Sequence, residues 1–147
     1  MQPKAHAGFT LIELVIVIVV LGIISVYAVV RSVSPAEITL PSQAQTLASD
    51  IRRAQTLAYT GGKHLRFTGG NTYKLESCVV DVNGVVTSCP TIVFSVPLQK
   101  GVTMTLGGTS PLDFNTLGQP SGAASYKLNN EITVTVAALT GFVTVSP

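Results

Sequence analysis

The sequence predicts an α+β protein in which a long N-terminal membrane-spanning helix continues into a helix packed on an antiparallel β-sheet domain. Three observations carry that expectation. Residues 9–30 form one apolar run, residues 44–58 repeat apolar side chains at spacings of three and four, and from Lys63 onward the apolar period becomes two.

The run FTLIELVIVIVVLGIISVYAVV would form a helix of roughly 33 Å at about 1.5 Å per residue, against a bilayer hydrocarbon core of about 30 Å. Its single formal charge is Glu13. A carboxylate costs about 2.5–3.5 kcal/mol at the centre of a membrane helix and less near an interface, so Glu13 requires a partner. One reading is a signal-anchor helix whose Glu13 reaches the headgroups. The residues ahead of the run favour another, because Lys4 and Gly8 precede an apolar stretch that begins abruptly at Phe9, as in a processed leader. A secretory signal would be cut behind its apolar core, and Ser32-Val33-Ser34 imitates such a site. Pro35 follows it directly, however, and the run exceeds the usual core of about 7–15 residues.

Gly8-Phe9-Thr10-Leu11-Ile12-Glu13 resembles the class III leader junction of bacterial type IV pilins and type II secretion pseudopilins. The resemblance implies that a prepilin peptidase cuts between Gly8 and Phe9 and methylates the new amino terminus at Phe9. It also implies that Phe9 and Glu13 serve subunit assembly, Glu13 pairing with the terminal cation of a neighbouring subunit. Gly22 falls where that family usually has glycine. Val30 stands where major pilins usually have proline, so no helix break is expected there. The implied partners are other pilins or pseudopilins, an inner-membrane assembly platform and the peptidase.

These readings divide the chain into a leader at 1–8, a transmembrane or filament-core helix at 9–30, an exported helical segment at 31–60 and a β domain at 61–147. Lys4 stays cytoplasmic by charge bias, although Arg31 weakens that bias, and the domain then lies in the periplasm. Net charge is +2 with Lys4 included. A balance so close to neutral excludes the strongly basic class of nucleic-acid binders. Tryptophan is absent and aromatics are few, which argues against a stacking surface for bases or sugars.

Beyond the span, Ser34-Pro35-Ala36-Glu37 reads as a cap, a first-turn proline and a capping-box acid, so a helix restarts there. Pro41 is a second interruption, best placed in another first turn. Ala44, Leu47, Ala48, Ile51, Ala54 and Ala58 then make one apolar face, with Asp50, Arg52 and Arg53 on the wetter side and Gly61-Gly62 as the stop. Arg52-Arg53 reads as a solvated helix face rather than a binding site. The expected strands are 64–67 and 72–77 around Gly69-Gly70-Asn71, 78–82 and 85–89 around Asn83-Gly84, then 91–96 and 102–106. Shorter ones follow at 112–114, 126–128, 132–137 and 142–145, the last two joined across Leu139-Thr140-Gly141.

Cys78 and Cys89 are the only cysteines. A two-residue turn at Asn83-Gly84 would oppose Val82 to Val85 and, in step, Cys78 to Cys89. That places them at a hydrogen-bonded pair with Cα atoms about 5.5 Å apart, a separation that a bulge or longer turn would change. A disulfide is expected in an exported domain, whereas a metal site would need more ligands than this spacing brings. No catalytic constellation appears: His64 is the one histidine beyond the leader, and G-x-S-x-G, C-x-x-C, H-E-x-x-H and phosphate-binding glycine motifs are all missing. The expectation is a non-enzyme without cofactor or metal.

Ala44 to Ala58, AQTLASDIRRAQTLA, and the segment Phe114…Gly118…Pro120 resemble minor pilins of the GspH/FimT type, and with YAVVRSV after the span the chain is similar to those of mannose-sensitive haemagglutinin pili. Members of that family implicated in DNA uptake carry a basic G-R-x-R near the end, where this chain has Gly141-Phe142-Val143-Thr144. The resemblance thus implies a structural assembly subunit of a pilus, with a secretion pseudopilin and a DNA- or receptor-binding tip pilin as alternatives, and nucleic acid disfavoured.

Overall fold

The computed structural model describes residues 10–32 and 35–147, with side chains at 10–25 and 39–147. The chain divides into two compact units, with the boundary between Pro35 and Ala36. The first contains helix α1, Leu11–Ser32, whose backbone runs helical through Val30, as the missing proline implied. Its apolar side chains from Leu11 to Ile24 are exposed. Among the described residues no helix is long and apolar enough to cross a membrane. The span of residues 9–30 therefore rests on the sequence, since it begins outside the described residues and only part of its side chains are described.

Helix α2, Pro35–Gly61, starts at that boundary and belongs to the second unit from Ala36 on. Pro35 is its first residue, where a missing N–H costs nothing. Pro41 corrects the expectation of a separate helix start, because it lies inside α2. One lost donor does not end the helix, since the apolar face on both sides of it is buried: Leu40 at 2% exposure, and Ala44, Leu47, Ala48, Ile51, Ala54 and Ala58 at 0%. Tertiary burial outweighs an interior proline's penalty of about 3 kcal/mol. The stop falls where expected, with Lys63 N–H donating to the Ala58 carbonyl at 3.2 Å and Gly62 N–H to that of Tyr59 at 3.4 Å. These are the paired bonds of a Schellman motif.

The β strands are β1 His64–Thr68, β2 Thr72–Val80, β3 Val86–Pro97, β4 Met104–Gly108, β5 Leu112–Phe114, β6 Ala124–Leu128, β7 Ile132–Val136 and β8 Val143–Ser146. Two corrections follow. The segments expected at 72–77 and 78–82 are one strand, as are those at 85–89 and 91–96, so Cys78, Cys89 and Pro90 interrupt nothing. The strands also form two four-stranded antiparallel sheets rather than one, ordered β3-β2-β1-β5 and β4-β6-β7-β8. Val102 precedes β4 and is buried as a core residue instead.

One core joins the buried face of α2 to both sheets. At its centre Phe67 of β1 lies 5.6 Å from the Tyr73 ring of β2 and 5.5 Å from the Tyr126 ring of β6, the latter edge to face. Tyr73 donates its hydroxyl proton to Asp50 at 2.7 Å. Both phenols are held above the ordinary value of 10.0, Tyr73 by burial and then by Asp50, Tyr126 by burial. A raised phenol pKa means that the folded chain keeps a proton the unfolded chain releases, so this stability is full below pH 10 and falls as pH rises beyond it. An alkaline titration followed by tyrosinate absorbance should show two of the four tyrosines ionising only as the domain unfolds.

Candidate functional site

Gly8 and Phe9 lie outside the described residues. Glu13 sits in the first turn of α1, behind Thr10. The Thr10 hydroxyl accepts from Glu13 N–H at 3.4 Å, and the Thr10 carbonyl accepts from Glu13 N–H at 3.1 Å and Leu14 N–H at 3.3 Å. Thr10 is thus the N-cap, and Thr-x-x-Glu has the spacing of a capping box. The capping role was missed in the sequence, although that spacing was its signal. The first turn also favours a negative charge through the helix dipole. Glu13 therefore stands exposed at the head of an exposed apolar helix.

The Cys78–Cys89 disulfide is present, with Cα atoms 3.9 Å apart. That separation is shorter than expected because the ladder is irregular: register shifts fall between Ser77 and Val79 and again between Val79 and Val80. The turn also corrects the expectation. Gly84 N–H donates to the Asp81 carbonyl at 3.0 Å, Asp81 N–H donates to that of Val85 at 2.9 Å, and Gly84 holds φ 79° while Asn83 has no positive φ. This is a type I turn over Asp81–Gly84 followed by a glycine bulge, closed by Asp81 opposite Val85. Asp81 Oδ1 fixes it by accepting from Asn83 N–H at 2.8 Å and Val85 N–H at 2.9 Å. Those backbone donors, Val85 first, hold the exposed Asp81 carboxyl below the usual range.

The segment Phe114…Gly118…Pro120 forms a closed loop docked on α2. Phe114 is fully buried and bridges to Pro120, while Asn115 Oδ1 accepts from Leu117 and Gln119 N–H, both at 2.9 Å. Gly118 has φ 72°, and a Cβ there would stand 3.0 Å from the Gln55 backbone carbonyl, so both conformation and space require glycine. Sequence reading missed Gln55. Its amide donates to the Gly118 carbonyl at 3.2 Å and to that of Thr140 at 3.3 Å, tying this loop to the β7–β8 turn. The left-handed glycines at 118 and 141 were the only hint of that junction.

The cations that lie close in sequence do not merge into one patch. Arg66 pairs with Asp113 through Nε and Nη2 at 2.7 and 2.9 Å, Arg53 lies 5.4 Å over the Phe94 ring, and Arg52 donates to the Val143 carbonyl at 2.9 Å. His64 begins β1 and lines a cleft of about 290 Å³ between the Gly84–Val86 turn and residues 113–121. Among the described residues no group of three metal-binding side chains gathers.

Residues 3–29 match the family profile for the prokaryotic N-terminal methylation motif. The structure is similar to the crystal structure of the type IV minor pilin FimU of Pseudomonas aeruginosa, with a TM-score of 0.58 and 12% identity over 76% of this chain and 90% of that one. No curated protein sequence matches the chain at a significant level. The chain joins a prokaryotic N-terminal methylation motif to a domain with the fold of a type IV minor pilin.

Proposed function

We propose that the protein is a minor pilin, processed between Gly8 and Phe9, methylated on Phe9 and built into a type IV pilus of the mannose-sensitive haemagglutinin kind. The observation that carries this reading is the methylation motif over residues 3–29, with Glu13 the one charge in the apolar run that it covers. Before assembly the helix spans the inner membrane once with its domain in the periplasm. In the filament the Glu13 carboxylate takes the methylated amino terminus of a neighbour, a pair that spares each charge its cost in apolar surroundings. Other pilins, the assembly platform and prepilin peptidase are its partners. The GspH-type secretion pseudopilin is the second reading, since it uses the same helix chemistry.

Mass spectrometry of the membrane or filament fraction should yield an amino-terminal peptide that begins with methylated Phe9. Bulky replacement of Gly8 should leave the leader attached, and Glu13→Ala should leave processing intact but remove the protein from filaments. A chain cut behind Ser34 would refute the anchored reading. Loss of piliation on gene deletion, with protein secretion unchanged, separates the pilus from the pseudopilus.

A further inference from the structure

The groove beside Gln55, about 350 Å³, is lined by Arg52, Tyr59, Leu117 and Thr140 and by no carboxylate. Tyr59 and Leu117 are 63% and 65% exposed, and Leu139 and Phe142, which flank Thr140, are 79% and 68% exposed. Scattered apolar residues on a surface need no explanation, but four large ones from three segments held together by Gln55 do. Leu139 also holds φ 68°, a conformation costly for a bulky side chain. Glycine or asparagine would make the same turn without strain. The leucine keeps an apolar side chain in water at an energetic cost, which points to a use for it.

A matching feature stands elsewhere on the same chain. The disulfide-stapled β2–β3 turn presents Val82 fully exposed, with Val79 and Val85 more than half exposed. Asp81 beside them stays ionised, its carboxylate bound to the turn's own N–H groups. The turn is thus an apolar knob with one negative charge, and the groove is a mixed surface whose apolar contribution is Tyr59 and Leu117 and whose one charge is Arg52, which also donates to the Val143 carbonyl.

We propose that a second copy of this chain seats its Val82 turn in the groove beside Gln55, with Asp81 facing Arg52. The charges are complementary, the valines meet the exposed Tyr59 and Leu117 with Leu139 and Phe142 beside them, and a knob already fixed by a disulfide and an Asp81-bound turn loses little freedom on docking. Knob and groove belong to different segments, so the contact is heterologous and leaves a free knob and a free groove at the ends of a pair. It is separate from the helix and does not depend on Glu13.

The test uses the full chain in detergent micelles as two differently tagged populations, one carrying a photoreactive phenylalanine derivative in place of Val82. Irradiation should join the two tags, and the linked peptides should map to residues 115–120 or 138–142. Asp81→Asn keeps the turn's acceptor and removes the charge, and should lower the yield about two- to fivefold. Leu139→Gly relieves the strained backbone, so it should leave thermal stability equal or higher while lowering the yield about tenfold. Glu13→Ala should leave the yield unchanged. Cross-links that map elsewhere, that join only a different polypeptide, that fail to form, or that are indifferent to Leu139→Gly would overturn the contact.

Discussion

Phe67→Ala should destabilise the α2–β domain by about 3–5 kcal/mol, enough to unfold much of it at growth temperature. Phe67 is completely buried and its ring meets Tyr73 of its own sheet and Tyr126 of the other. Truncation therefore removes the apolar transfer energy, two ring contacts and the filler between the sheets. Tyr73 cannot swing into the gap without cost, since Asp50 holds it at 2.7 Å. Urea unfolding of the full chain in micelles, followed by circular dichroism, measures the loss. Phe67→Leu fills most of the volume and should lose less than half as much. A loss below about 1 kcal/mol for alanine would mean that the sheets close on the cavity.

Replacing Cys78 and Cys89 together by serine should cost about 3 kcal/mol or somewhat less, the scale expected for a short closed loop. The effect stays at that level because the two cysteines are 11 residues apart in one hairpin that Asp81 already fixes at its turn. Ser77, Val79 and Val80 lie at register shifts, so without the bond this part of the ladder has fewer regular pairs to hold it. Hydrogen exchange should therefore rise first at residues 79–88 and leave β1 and β6 protected. Alkylation of exported protein without reduction should label neither cysteine, and free thiols would contradict the bond.

The helix face from Ala44 to Ala58 was legible residue by residue because a helix has one period and this one buries one stripe. Most strands were legible as well, since alternation survives whichever partner a strand takes. Their grouping into two sheets was not, because strands of both sheets carry the same period-two pattern. The Asn83-Gly84 turn was read as the tighter type because both turn types place glycine at the left-handed position, and sequence does not say whether Asn83 joins it there. Pro41 was misplaced because local propensity carries no account of the buried side chains around it. Gln55 gave no signal, since a polar residue on a helix looks the same whether it faces water or clamps two loops. Of the proposed assembly site, Glu13 is visible by its charge alone, while its neighbour Thr10 takes meaning only with the helix start in view.

The order in which the chain visits its sheets sets how the domain can come apart. After β3 it leaves the first sheet for β4, returns for β5, and leaves again for β6. Residues 97–124 thus lace the two layers together, and β5 completes the first sheet only after a strand of the second has been laid down. No cut within that stretch yields two self-sufficient halves, and no truncation removes one layer intact. The consequence is a threshold: a chain stopped short of β5 has neither sheet finished, so exposed strand edges persist until nearly the whole domain has been made.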